Sequence, residues 1–275
     1  MRRSEASGVR TSLRRIGAMF RRHWYLLTSS WPRVLELVYW PTVQITLWGF
    51  ITLWLARAGG SAMAHATALF LSAVLLWDTF FRSQLGVALS FLEELWARNL
   101  GHLFVSPLRP FELVLSLFAM SLVRTLIGVG GAALLAVPIH GFSIAAALGP
   151  ALVLFFSGNL IFGWALGLAS SALVLRLGLG AESLVWALVF LLQPVCAVFY
   201  PLSVLPEPLR WIGLALPPAH VFEGMRALVL EGRFAADHLL AAFALDLFWL
   251  LVAGGVFALL LESARRRGLL LQVAE

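Results

Sequence analysis

The feature that most constrains this chain is a series of apolar stretches, each about 20 residues long or longer, separated by short polar segments. A helix of that length crosses the hydrocarbon core of a bilayer, which is about 30 Å thick. The stretches lie at about residues 34–55, 64–89, 112–137, 144–175, 183–200 and 238–261, and the fifth of them is interrupted by Gln193 and Pro194. Hydrophobic residues make up 61% of the chain and charged residues 12%, unlike the mix in soluble proteins. The sequence therefore predicts an all-α membrane protein, a single transmembrane domain over residues 1–275 with six transmembrane helices.

The positive charge is all arginine, because the sequence contains no lysine. The phosphate-binding pattern GxxxxGK[ST] needs a lysine and is therefore absent, so a nucleotide site would have to lie on another polypeptide. The net charge of +6 does not point to nucleic acid, since the arginines flank the apolar stretches. The arginine-rich segments fall on the side that holds both termini in a six-span arrangement, which predicts cytoplasmic termini.

Residues 8–29 are predicted to form an amphipathic helix that lies in the membrane interface, since they are too charged to span it. One stripe of this helix is apolar: Leu13, Ile16, Phe20, Trp24 and Leu27. Most of the arginines lie off that stripe, and four of them are candidates for contact with lipid headgroups: Arg14, Arg15, Arg21 and Arg22. The alternative is a helix that packs on a partner, and both interpretations can hold at once.

Residues 90–111 are the most polar internal segment, and Pro107 and Pro110 end any helix there. A loop with a short helix is predicted. Its mixed-charge, tryptophan-bearing part suits a groove on a partner protein: Glu93, Glu94, Trp96, Arg98 and Asn99. The alternative is a loop that contacts only solvent or headgroups.

Residues 201–237 are too apolar for a free loop and too interrupted by prolines to span, so short helices at the outer leaflet are expected. Glycines at 158, 163 and 167 predict close helix packing in the fourth stretch. Four charged residues lie within the spans, where they either pair or serve function: Asp78, Arg82, Arg124 and Asp246. No HExxH metal motif occurs, and the sequence offers no clear nucleophile and base for an intramembrane enzyme.

Two segments resemble the permease subunits of type-2 ABC transporters. The first is RNLGHLFVSPLRPFELV, in which Ser106, Pro107 and Leu108 match the end of that family's first cytoplasmic loop. The second is FYPLSVLPEPLRWIGLALPPAHVFEGMRAL, which resembles its external re-entrant hairpin through Pro201, Pro206, Pro218 and Arg226. The resemblance covers essentially the whole chain. One departure is Gly101, near the place where many members carry a glutamate.

The resemblance implies the transmembrane half of an ATP-driven exporter in the bacterial inner membrane, moving an amphiphilic, lipid-linked or drug-like substrate. ATP and magnesium would sit on two separate ATPase subunits, with no cofactor or metal on this chain, and a second copy or close homologue would complete the permease. Coupling to the ATPase would use Glu93, Glu94, Trp96, Arg98, Asn99 and Pro107. The transport path, by analogy with the family, would include Gln44, Thr46, Gln193 and Tyr200. The competing hypothesis is an ion-coupled secondary transporter.

Overall fold

The computed structural model describes residues 2–59 and 62–266, and the regular elements in these ranges are helices. The longer ones are α1 (Arg2–Thr28), α2 (Trp31–Gly59), α3 (Ala62–Trp96), α5 (Pro110–His140), α7 (Ala151–Leu177) and α11 (Ala236–Arg266). The shorter ones are α4 (Leu100–Val105), α6 (Ile144–Leu148), α8 (Glu182–Leu192), α9 (Glu207–Leu214) and α10 (Pro217–Glu231). Gly60 and Ser61, in the first predicted turn, and Arg267, in the C-terminal arginine triplet, lie outside the described residues.

Four of the described helices are long and apolar enough to cross a membrane: Trp31–Leu55, Pro110–His140, Ala151–Leu177 and Ala236–Ala264. The all-α class and the membrane character predicted from the sequence are therefore confirmed at this level. α3 is longer still, at 35 residues, but it carries the Asp78–Arg82 pair (2.6 Å between Oδ2 and Nε) and is largely buried. It is the central helix, packed on α2, α5, α7 and α10.

Close packing of α7 explains its glycines, as the sequence predicted. A Cβ at Gly163 would collide with the Ser83 side chain and with the carbonyl oxygen of Phe80, both on α3. A Cβ at Gly167 would press on Val87 of the same helix, and one at Gly158 would touch Val221 of α10. The absence of side chains at these positions lets the helix backbones approach closely, which is how membrane helices gain packing energy.

Buried polar side chains connect the central helices. Nε2 of Gln84 donates to Oγ of Ser170 on α7 and to the carbonyl of Val185 on α8, both at 3.1 Å. Oγ of Ser121 on α5 donates to the carbonyl of Ser83 at 2.7 Å. Each bond joins two helices that are far apart in sequence, and together they fix the register of α3, α5, α7 and α8.

The fifth predicted stretch, 183–200, is interrupted at Gln193 and Pro194, as the sequence indicated. α8 ends at Leu192 after 11 residues, a length of about 16 Å that crosses only half of a bilayer core. Gln193 and Pro194 follow, and Ala197 has a φ of 52°, so the chain turns repeatedly up to residue 200. These turns are buried, with Cys196, Ala197 and Val198 inaccessible to solvent. Irregular backbone at membrane depth is tolerated when protein surrounds it.

The fourth predicted span, 144–175, is likewise divided. α6 ends at Leu148, Gly149 takes a φ of 52°, and Pro150 is the N-cap of α7, which begins at Ala151. Glycine adopts a positive φ readily and proline cannot continue a preceding helix, so this pair separates two helices. Of the two, α7 is long and apolar enough to cross a membrane.

The proline-rich segment forms short helices, as expected, and α10 is buried among α3, α7 and α11. Glu223 on α10 fixes this region: its carboxylate accepts from the backbone N–H of Leu202 at 2.6 Å and pairs with Arg226 at 3.1 Å. Nη1 of Arg226 also donates to the carbonyl of Val198 at 3.3 Å. The helix is thus joined to the turns on both sides of residue 200.

Asp246 in α11 is an exception to this pairing. Its side chain is 1% exposed, and neither carboxylate oxygen has a hydrogen-bond partner among the described residues. Gly158 lies next to it, because a Cβ there would be 3.7 Å from Oδ2. Burying a carboxyl group without a partner costs free energy, and natural proteins retain such groups mainly where function needs them.

We therefore expect Asp246→Leu to raise the midpoint of thermal unfolding in detergent, by an amount corresponding to about 1–3 kcal/mol. Leucine has the same branched shape without the polar atoms, whereas asparagine would leave a buried amide without a partner. The matched control is Asp237→Leu, which changes an exposed aspartate at the start of the same helix and should leave the midpoint unchanged or slightly lower. A fall in the midpoint for Asp246→Leu would show that the carboxyl group is stabilised by a partner.

Candidate coupling site

The segment between α3 and α5 differs from its sequence prediction in where the helix lies. Glu93 to Trp96 are the last turn of α3, and the short helix α4 begins only at Leu100. The two are separated by a tight turn in which Arg98 has a φ of 51°, a left-handed conformation that is uncommon for arginine. Residues 97–109, with α4 inside, are called the α3–α5 loop below.

The α3–α5 loop, together with Trp96 at the end of α3, presents four side chains to the surface. Trp96 is 47% exposed and Val105 is 90% exposed, while Arg98 and Pro107 are also accessible. Exposed tryptophan and aliphatic side chains are common in protein-binding surfaces. Leu100 is buried and anchors α4 to the bundle.

Glu94 does not belong to that surface, which corrects its assignment as a partner contact. Its carboxylate is fully buried and accepts from Nε and Nη2 of Arg22 on α1, at 2.7 and 3.2 Å. It also accepts from the side-chain amide of Asn99 at 2.6 Å. Asn99 is accordingly half-buried and held to α3.

Glu93 is also engaged within the chain. Both of its carboxylate oxygens accept from Nη2 of Arg124 on α5, at 3.0 Å each, and Nδ1 of the fully buried His23 lies 3.8 Å away. Glu93 therefore joins α1, α3 and α5 through its carboxylate.

Glu112 is a third carboxylate of this kind, and the sequence interpretation missed it. Its Oε1 accepts from Ser12 at 2.5 Å and lies 3.4 Å from Nη1 of Arg15, both on α1. Its Oε2 accepts from the backbone N–H of Arg109 at 2.9 Å. A signal was present: a glutamate three residues after the N-cap position is the second half of a capping box.

These contacts correct the predicted orientation of α1. Arg15 and Arg22 lie on its inner face, bound to Glu112 and Glu94, whereas Arg14 and Arg21 are exposed as expected. Leu13, assigned to the apolar stripe, is 62% exposed, but Leu27 of that stripe is buried. The acids at the ends of α3 and α5 account for the difference, since an apolar face would leave them buried without counter-charges.

The four predicted path residues do not converge on one surface. Thr46 lies in an apolar groove of about 550 Å³ along α2, which also contains Val38, Thr42 and Leu135 of α5. Gln44 is exposed and two residues away, on a different side of the helix. Gln193 and Tyr200 lie in the turns after α8, where the Tyr200 hydroxyl donates to the carbonyl of Pro194 at 2.6 Å.

The second helix and these turns are nevertheless neighbours. Trp48, one turn after Gln44, stacks on Phe199 with ring centroids 4.8 Å apart. The structure therefore places the Gln193–Tyr200 segment against α2, and Thr46 in a separate groove.

Comparison with known proteins identifies no relative: no protein-family model matches the sequence, and no curated protein matches it. In the described residues, no group of three or more histidine, cysteine or acidic side chains is placed to hold a metal ion. The function must therefore be inferred from the arrangement of the chain itself.

Proposed function

We propose that this protein is the permease subunit of a type-2 ABC exporter of the bacterial inner membrane. The observation that carries the proposal is the order of the elements: an amphipathic helix, two long helices, a polar loop with a short helix, two more long helices, an interrupted fifth, paired short helices and a last long helix. This is the order implied by the family resemblance of two segments, the one that contains Ser106, Pro107 and Leu108 and the proline-rich one after residue 200. Two copies, or one with a close homologue, would act with two separate ATPase subunits.

The six crossings in this proposal are α2, α3, α5, α7, α8 with the turns that follow it, and α11. α8 alone is too short, so the buried turns up to Tyr200 complete its crossing. α9 and α10 then form the external re-entrant hairpin. Both termini are cytoplasmic, and the α3–α5 loop lies on the same side as α1.

The α3–α5 loop contacts the ATPase through the exposed side chains of Arg98, Val105 and Pro107, together with Trp96 at the end of α3. Asn99 shapes the loop from within, and Glu93 and Glu94 join it to the rest of the bundle. Trp96 is about half exposed, and tryptophan side chains of this kind often bind in a groove on a partner protein.

The substrate class follows from the surfaces that remain open. The groove along α2 is lined almost wholly by apolar side chains, from Leu35 to Phe50. The distance along the helix axis from Leu35 to Phe50 is about 22 Å, which is comparable with the length of a long acyl chain. An amphiphilic, lipid-linked or drug-like substrate fits this surface, and the lipid-facing position of the groove fits entry from the bilayer.

An ion-coupled secondary transporter is the second candidate, and Asp246 is the observation that favours it. A buried carboxyl without a partner in a membrane helix is a feature of ion and proton pathways. The two candidates differ in their energy source: the exporter depends on ATP and a partner ATPase, whereas the carrier depends on an ion gradient alone.

We expect Trp96→Ala to weaken binding of the ATPase subunit by about thirty-fold, which corresponds to roughly 2 kcal/mol for a truncated interface anchor. The measurement is the affinity of the partner ABC ATPase, identified by co-purification, for the permease in nanodiscs. The matched control is Trp211→Ala, since Trp211 is 67% exposed and lies on α9. Equal affinities for Trp96→Ala and the unmodified protein would remove the loop from the interface.

A further inference from the structure

Two buried carboxylates stand at the two ends of the α3–α5 loop. Glu94 precedes the loop by three residues, and Glu112 follows it by three. Each binds the loop: Glu94 through the Asn99 side chain, and Glu112 through the Arg109 backbone N–H.

Each of these carboxylates also binds α1, through the inner face of that helix. Glu94 accepts from Arg22, and Glu112 accepts from Ser12 and pairs with Arg15. Arg15 and Arg22 are seven residues apart, two helical turns or about 10 Å, so one face of α1 reaches both ends of the loop.

The two glutamates divide their oxygens between α1 and the loop in different ways. In Glu112, Oε1 faces α1 and Oε2 faces the loop. In Glu94, Oε1 receives Nε of Arg22, while Oε2 receives both Nη2 of Arg22 and the Asn99 amide. Both glutamates are inaccessible to solvent. A displacement of α1 therefore leaves a buried carboxylate short of a donor, and the donor that remains is in the loop.

We propose that α1 is a two-point clamp that sets the conformation of the α3–α5 loop, with Glu94 and Glu112 as positioning residues. α1 and the loop then move together. A ligand or lipid that binds the outer face of α1 therefore alters the exposed surface formed by Val105 of the loop and by Trp96 at the end of α3. The outer face carries Arg10, Arg14 and Arg21. The consequence for coupling rests on the proposed function, but the clamp itself does not.

The clamp is tested by substituting arginines of α1 and measuring how accessible a residue of the loop becomes. Leu108 is half-buried in the loop, and the native Cys196 is fully buried, so Leu108→Cys provides one reporter thiol. The readout is the rate at which a water-soluble maleimide labels that thiol in the membrane-embedded protein. We expect Arg22→Gln and Arg15→Gln each to raise the rate about tenfold, equivalent to about 1.4 kcal/mol less protection.

Arg21→Gln is the matched control, because Arg21 lies on the outer face of α1 and, among the described residues, its hydrogen bond stays within its own helix, to the Gly17 carbonyl at 3.2 Å. It should leave the labelling rate unchanged. Arg22→Lys keeps the charge but loses the two-nitrogen contact, so an intermediate rate is expected, and it replaces Arg22→Gln if that variant fails to fold. Unchanged labelling in both the Arg22 and Arg15 variants would overturn the clamp.

The outcome also separates the clamp from the transport proposal. Faster labelling in the α1 variants, without any change in ATP-dependent transport, supports the clamp and contradicts the coupling role of the loop. Unchanged labelling with altered transport contradicts the clamp and leaves the exporter proposal standing.

Discussion

Replacing Gly163 by leucine should prevent this protein from folding in the membrane. The new side chain would occupy the position of the Ser83 side chain and of the Phe80 carbonyl, and backbone atoms cannot yield as a flexible side chain can. α7 would have to separate from α3, which removes the central contact of the bundle. The measurement is the yield of monodisperse protein extracted in mild detergent, with less than about a tenth of the unmodified yield expected.

The matched control for this substitution is Gly255→Leu on α11. Gly255 is exposed, and a Cβ there meets nothing within 4 Å. Leucine also has the higher helix propensity, by about 1 kcal/mol, so the control should fold as well as the unmodified protein. Normal yield and normal thermal unfolding of Gly163→Leu would contradict the close approach of α3 and α7.

Arg124→Met is expected to destabilise the protein by about 3–5 kcal/mol, since it removes the guanidinium from a buried ion pair and leaves the Glu93 carboxylate without its main partner. Adding Glu93→Gln to Arg124→Met should recover a large part of that loss, because the uncompensated charge is then gone. The readout is the free energy of unfolding in a detergent titration.

An ion pair on the surface provides the comparison. Arg266→Met breaks the pair with Glu262, 2.9 Å apart on the exposed side of α11, and should cost less than about 1 kcal/mol. If Arg124→Met costs no more than Arg266→Met, the contact of Arg124 with Glu93 contributes nothing to stability.

The features that were predicted correctly from the sequence depend on local composition. Runs of apolar residues locate the long helices, since length and hydropathy suffice to identify a spanning helix. The glycines of α7 indicated close packing because small residues in membrane helices have few other uses. The short helices after residue 200 followed from the spacing of the prolines.

Of the two breaks within the predicted spans, the one after α8 was indicated by Gln193 and Pro194, but its backbone conformation was not. Ala197 takes a positive φ, which alanine disfavours, and this conformation depends on tertiary packing rather than on a residue pattern. The break at Gly149 and Pro150 was missed, although a glycine-proline pair is a regular boundary between helices.

The assignment of Glu93 and Glu94 to a partner surface failed for a different reason. Their partners are distant in sequence, with Arg22 being 72 residues from Glu94 and Arg124 being 31 residues from Glu93. Charges in a polar segment suggest solvent exposure, and only the folded arrangement of α1 shows that these acids are inside. The surface that remains for a partner is smaller than predicted and more apolar, since Trp96 and Val105 are exposed.

The composition of the complex in its native membrane shows whether this chain is the membrane half of an ATP-driven exporter. The protein would be tagged at its natural level, extracted in mild detergent and analysed by native mass spectrometry. An assembly of two permease chains with two ABC ATPase subunits is expected if the protein is the permease of an ABC exporter. Recovery of this chain with no ATPase subunit, from membranes that transport on an ion gradient without ATP, would contradict it.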